Sequence, residues 1–155
     1  MTLTARAIME TQVITVSPDD PLPYVQRLFF EEEIAGAPVV DERGRVLGII
    51  SSMDLLRAAT EQHEVERGEP IHLEAGLEFS LPAGMGEQLE ARLPEISASE
   101  VMTPGAASVG PEAPVCEVAR LMRSQRIHRV LVVEDDRLRG IISTFDMVAL
   151  LEKEA

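Results

Sequence analysis

Apolar residues in this chain fall into short runs whose period changes abruptly. Val46–Ile50 and Leu138–Ile142 are near-continuous apolar runs. Each ends at a serine and is followed by apolar positions at helical spacing, Leu55-Leu56 in one place and Met147–Leu151 in the other. Such a change of period predicts a buried strand that runs directly into a helix. Upstream, Ala37–Val40 and Val130–Val133 predict partner strands, with Asp41-Glu42-Arg43-Gly44 and Glu134-Asp135-Asp136 as the turns of two hairpins. Farther back, Val25, Leu28 and Phe29, and again Val118, Leu121 and Met122, share one helical face. Pro21 and Pro114 open these helices, where a missing N–H leaves no bond unmade. Short strands at Val13–Val16 and Ala106–Val109, and short helices at Thr4–Met9 and Ser97–Met102, complete the two sets. Ser97 and Glu100 have the spacing of a capping box.

The two sets are one unit written twice. Met9 aligns with Met102, 93 residues on, and Val16-Ser17-Pro18-Asp19-Asp20-Pro21 aligns with Val109-Gly110-Pro111-Glu112-Ala113-Pro114 at the same offset. At Asp54 and Asp146 the offset has fallen to 92, so the second copy is one residue shorter in its hairpin turn, where backbone length is tolerated. The expected fold is α/β (α+β), a tandem repeat of two β-α-β-β-α units about a pseudo-two-fold axis. Residues 1–60 form the first repeat, 61–95 an acidic insertion and 96–155 the second repeat.

The junction between the last strand and the last helix carries the chemistry. It reads Gly48-Ile49-Ile50-Ser51-Ser52-Met53-Asp54 and again Gly140-Ile141-Ile142-Ser143-Thr144-Phe145-Asp146. A hydroxyl followed three residues later by a carboxylate is a helix cap, worth about 1 kcal/mol without any ligand. The same helix start has unpaired N–H groups and the positive end of the helix dipole, so it can receive an anion. The carboxylate can accept hydrogen bonds from a diol such as a ribose.

Composition narrows the picture. With 155 residues, 45% of them apolar, the chain can bury a real core and form one compact unit, and with 3% aromatics that core must be built from Val, Ile, Leu, Ala and Met. Met9, Met53, Met102 and Met122 read as filler for it. A net charge of −13 repels nucleic acid and anionic membranes. The single Cys116 excludes a disulfide framework and reads as a small packing residue. No signal peptide and no 18-residue apolar run are evident, which predicts a soluble, cytoplasmic protein with no membrane partner. Residues 58–98 hold nine Glu against Arg67 and Arg92, and Ile71 to Leu81 alternate apolar with polar. That stretch suits either packing on the flank or docking of a partner or second protomer. His63 and His72 lack metal-ligand spacing, and no nucleophile–base set or phosphate-binding loop is present, so neither a metal nor catalysis is expected.

The duplicated β-α-β-β-α pattern, the two Gly-Ile-Ile-Ser-x-x-Asp junctions and the opening Val101-Met102-Thr103-Pro104 resemble the CBS (cystathionine β-synthase) domain, two copies of which form a Bateman module. The resemblance covers residues 3–59 and 96–152. It implies an adenosyl ligand (AMP, ADP, ATP or S-adenosylmethionine) in clefts between the repeats. Asp54 and Asp146 would hold ribose hydroxyls, and Ser51 and Ser143 ribose or phosphate, with Thr144 assisting. Backbone around Ile14, Ala35 and Ala107 would cover the adenine. It also implies a phosphate contact at His128-Arg129, for which the planar fork of arginine is suited. The first copy has Ala35-Gly36 there, so the expected preferred site centres on Asp146. Arg120, Arg123, Arg126, Arg129, Arg137 and Arg139 are either a solvated face or a focus for anionic ligands.

The function these features favour is a regulatory sensor, not an enzyme. It would form a homodimer and signal to an unidentified effector protein by population shift. The competing reading is a ligand-free structural or dimerisation module in which both serine–aspartate pairs are only caps. Nucleic-acid binding would need the arginine cluster to act against the net charge.

Overall fold

The computed structural model describes residues 2–67 and 95–154. The alternation proposed for Ile71 to Leu81 lies outside them. The first repeat runs α1 (Ala5–Ile8), α2 (Leu22–Glu31), β1 (Gly36–Val40), β2 (Val46–Ser51) and α3 (Ser52–Arg67). The second runs α4 (Ala98–Val101), β3 (Thr103–Pro104), β4 (Ser108–Val109), α5 (Val115–Gln125), β5 (Arg129–Glu134), β6 (Arg137–Ser143) and α6 (Thr144–Glu154). The duplicated architecture is therefore present in its helices and hairpins, while the strand expected over Val13–Val16 does not form and β3 and β4 have no strand counterparts in the first repeat. Its first strand is the least regular part. In the second repeat β4 pairs in parallel with β5, whereas in the first only Val16 makes the equivalent bridge, to Val39.

Each hairpin turns as its residues dictate. Asp135 and Asp136 both have positive φ, 52° and 62°, which makes a two-residue turn whose twist matches that of the strands. The longer first turn is held differently. The Asp41 carboxylate accepts hydrogen bonds from the N–H groups of Arg43 and Arg45 and from Arg45 Nε, and Gly44 supplies a φ of 76°.

Burial follows the alternation along the strands. Val39 and Ile50 join Val16, Leu22, Val25 and Phe29 in one core; Val130, Val132 and Ile142 join Val109, Val118 and Met122 in another. The intervening positions, Ser51 and Ser143 among them, face the opposite side of each sheet. Met9 and Met102 pack against the cores and Met122 is buried within one, but Met53 is 53% exposed because it falls on the outer face of α3. Cys116 is likewise exposed rather than packed.

The two repeats exchange their openings. Ala98 of α4 lies in the first repeat's core and Ala5 of α1 in the second's. β3 then pairs with β2, Gly48 opposite Pro104 and Ile49 opposite Thr103, while Glu10 bridges to Ile141. These crossings explain the glycine of each junction. A methyl group at Gly48 would sit 2.5 Å from the Thr103 carbonyl oxygen, and one at Gly140 would sit 2.8 Å from that of Glu10. The hairpin tips also meet: Val46 N–H donates to the Asp136 carbonyl and Leu138 N–H to that of Gly44, both at 3.1 Å.

Candidate functional site

The serine–aspartate junctions form the same closed arrangement twice. Ser51 donates its backbone N–H (2.8 Å) and its hydroxyl (2.9 Å) to Asp54 Oδ2, and Asp54 N–H returns to Ser51 Oγ at 3.3 Å. In the second repeat the corresponding distances at Ser143 and Asp146 are 2.6, 2.8 and 3.3 Å. Both are reciprocal caps in which aspartate takes the usual place of glutamate. Capping uses one carboxylate oxygen of each pair. The other, Oδ1, has no hydrogen bond among the described residues, and at Asp54 it lies 3.8 Å from Arg57, whose side chain is 65% exposed.

The helix starts are partly filled before any ligand arrives. The chain leaves α2 and α5 through a left-handed residue, Glu33 or Arg126, and so brings the next carbonyls back to the junction. Ser52 N–H donates to the Ala35 carbonyl at 2.9 Å and Thr144 N–H to that of His128 at 3.0 Å. Two of the first three N–H groups of α3 and of α6 thus have partners. An anion at either site must find its main attraction in side-chain cations.

Ala35 and His128 therefore sit at the junctions, as does Thr144. Ala107 lies beside β5, its carbonyl accepting Leu131 N–H at 3.0 Å, and Ile14, half-buried, precedes the Val16 bridge in the first repeat. The structure separates His128 from Arg129. His128 lines an open pocket of about 480 Å³ between α5 and α6, together with Met122, Ile127, Met147, Arg123 and Arg126. Arg129 lies on the opposite face of β5, and its Nη1 lies 3.3 Å from where a Cβ of Gly36 would be. Arg57 is the site-forming residue that sequence reasoning passed over. Subtracting one copy from the other at that position would have found it, since Arg57 aligns with Ala149.

Two swapped, capped repeats with paired carboxylates facing the seam match one family, whose signature, the CBS domain, covers residues 5–61 and 98–153. This chain belongs to the CBS domain family. Among solved structures it is similar to the CBS domain of a CBS domain containing membrane protein from Sphaerobacter thermophilus. The two are 32% identical, with 96% of this chain and 88% of that one covered and a TM-score of 0.71. The same fold occurs in a CBS domain pair solved in complex with 5′-methylthioadenosine and S-adenosyl-L-methionine (20% identity, all of both chains, TM-score 0.70). It occurs again in CBSX2 in complex with AMP (22% identity, 98% of both chains, TM-score 0.72). No described helix of this CBS domain pair is long and apolar enough to cross a membrane. Among the described residues no group of three or more His, Cys, Asp and Glu side chains could hold a metal ion; the side chains of His63 and His72 lie outside them.

Proposed function

We propose that this CBS domain pair is a regulatory module that binds an adenosyl nucleotide in the clefts between its repeats and passes its occupancy to a partner protein. The observation that carries the reading is the second carboxylate oxygen, Oδ1, of Asp54 and of Asp146, which the caps leave without a hydrogen bond among the described residues, although at Asp54 it also faces Arg57 at 3.8 Å. Each aspartate is fixed by its own cap and still has an oxygen to accept ribose hydroxyls. Ser51, Ser143, Thr144 and the backbone near Ile14, Ala35 and Ala107 complete the two clefts, with His128 and Arg129 as the cationic candidates. The adenosyl ligands of two similar folds support the same class. The module acts in the cytoplasm, without catalysis, and works as a homodimer. Phe145, Val148 and Leu151 on α6 and Phe30 on α2 support that pairing, being 85, 55, 67 and 85% exposed.

The test is direct. With no Trp and one Tyr the chain absorbs weakly near 280 nm, so adenine released on unfolding and filtration of fresh protein dominates at 260 nm. Melting with AMP, ATP and S-adenosylmethionine at a hundredfold above the dissociation constant adds about 2.7 kcal/mol, or about 5–10 °C. Absence of both effects favours the second reading, a structural dimerisation module. The completeness of both caps without a ligand supports that alternative.

A further inference from the structure

The ends of α2 and α5 occupy the same place in their repeats and carry opposite charge. Each helix hands the chain to a left-handed residue, Glu33 at φ 53° and Arg126 at φ 54°. Ahead of Glu33 stand Phe30, Glu31 and Glu32; at the matching positions ahead of Arg126 stand Arg123, Ser124 and Gln125. Carboxylates gathered at the negative end of a helix dipole are locally unfavourable, whereas arginines there are favourable. Neither group has an ion-pair partner among the described residues. The surfaces beside them differ as well. Next to Arg123 and Arg126, the open pocket of about 480 Å³ has an apolar floor of Met122, Ile127 and Met147. In the first repeat, Phe30 stands out from the surface instead, 85% exposed. One repeat thus presents an acidic knob and the other a basic socket. Both lie at the same edge of the molecule. Arg129 Nη1 comes within 3.3 Å of the Cβ position of Gly36, so the strands that follow α2 and α5 start within one side chain's reach of each other.

We propose that a second copy of this chain docks head to tail, with Phe30 of one protomer in the α5–α6 pocket of the other. Glu31, Glu32 and Glu33 then face Arg123 and Arg126 across the contact. The assignment rests on the homodimer reading above and gives it an orientation. Because knob and socket share an edge, a two-fold axis closes both contacts at once. Methionine sulfur and arginine both contact aromatic rings favourably, so the floor and rim of the pocket suit phenylalanine. Charge decides against the head-to-head alternative. With a net charge of −13, two copies repel over most of their surface, and the arginines of α5 are where an acidic surface is received. Head-to-head pairing would set the three glutamates against their own counterparts and the two arginines against theirs, and like charges so placed oppose association. Thr144 also lines the pocket, next to Ser143, so the contact adjoins the second repeat's serine–aspartate junction.

Analytical ultracentrifugation and cysteine cross-linking of the whole protein test the arrangement. Phe30→Glu, at a position exposed in the protomer, is expected to weaken dimerisation about a hundredfold or more. Arg123→Glu with Arg126→Glu should weaken it about ten- to a hundredfold, and adding Glu31→Arg and Glu33→Arg should recover most of that loss. Cross-linking uses a short bismaleimide in a Cys116→Ser background, which removes the one native thiol. Phe30→Cys alone and Ala119→Cys alone, the latter an exposed position lining the pocket, should give no covalent dimer. The chain carrying both should give covalent dimers and nothing larger. Self-linking of Phe30→Cys alone overturns the arrangement in favour of head-to-head pairing. A ladder of higher species from the double variant overturns the two-fold closure. A stable dimer that lacks the Phe30–Ala119 link refutes the orientation and leaves the homodimer reading standing. If wild type is monomeric at every concentration, the homodimer reading itself fails and this assignment falls with it.

Discussion

Replacing Gly48 by alanine tests the exchange of openings. Gly48 is buried on β2 where β3 of the other repeat crosses it. A Cβ there would lie 2.5 Å from the Thr103 carbonyl oxygen, 3.2 Å from Pro104 Cα and 3.1 Å from Met102 Sδ. Ordinary contact begins near 3.4 Å, so the crossing backbone must retreat by about 0.9 Å. A sulfur at the end of a side chain can yield, but a carbonyl fixed in a strand pair cannot. Overpacking of this kind costs about 1–3 kcal/mol, and weakening the β2–β3 hydrogen bonds adds about 1 kcal/mol. Gly48→Ala is therefore expected to lose about 2–4 kcal/mol in urea unfolding and about 4–16 °C in melting temperature. Gly140→Ala should lose less, because two of its three nearest atoms belong to the flexible Met9 side chain and only the Glu10 carbonyl is rigid. Gly110 has no neighbour within 4 Å of its Cβ position, so Gly110→Ala should be neutral or stabilising by up to about 1 kcal/mol. A Gly48→Ala protein within about 0.5 kcal/mol of wild type would refute the crossing as the reason for the glycine.

Further outcomes follow from the same geometry. Ser97 N–H and hydroxyl hold the Glu100 carboxyl below its ordinary value of 4.5, and the Arg45 and Arg43 N–H groups together with the Arg45 side chain hold that of Asp41 below 3.8. Both groups bind protons less readily when folded, so their contribution is complete above the ordinary values and is lost as pH falls through the depressed ones. Melting temperature followed from pH 7 to pH 3 should drop in that acid window, and Glu100→Gln should remove part of the drop. Asp136→Gly relieves a side chain at φ 62° in the second hairpin and should raise stability by about 1 kcal/mol in thermal melts. Phe145→Glu, at an 85% exposed position, should convert the proposed dimer to monomer in sizing with light scattering while the melting temperature of the monomer stays unchanged.

The hydrophobic pattern made the hairpins and long helices legible because each is a local periodic object. Val25 and Phe29, or Val130 and Val132, announce their face within a few residues. The caps were legible for the same reason: serine and aspartate three apart close on each other without help. What the pattern could not reveal was the exchange. Thr103-Pro104 looks like the opening of its own repeat, and nothing local says that it lies along β2. The interior glycines were the available signal, since a strand gives up a side chain only where another backbone passes. The reach of Arg129 was hidden for a related reason. Beside His128 it reads as one basic patch, yet a strand sends neighbouring side chains to opposite faces, and only the facing repeat decides what each one meets.

The traded openings have a consequence for ancestry and divergence. Because β3 meets β2 as Glu10 meets Ile141, a lone repeat could in principle complete itself by meeting an identical copy. Any such pair would be bound by its own symmetry: whatever residue stood at position 36 would stand at the matching place too, and the two clefts would be twins. Fusion in one chain lifts that constraint. Each half can mutate while the other holds still, so glycine on one side and arginine on the other become a permitted combination. The pairing that keeps the halves together also frees them to become unlike.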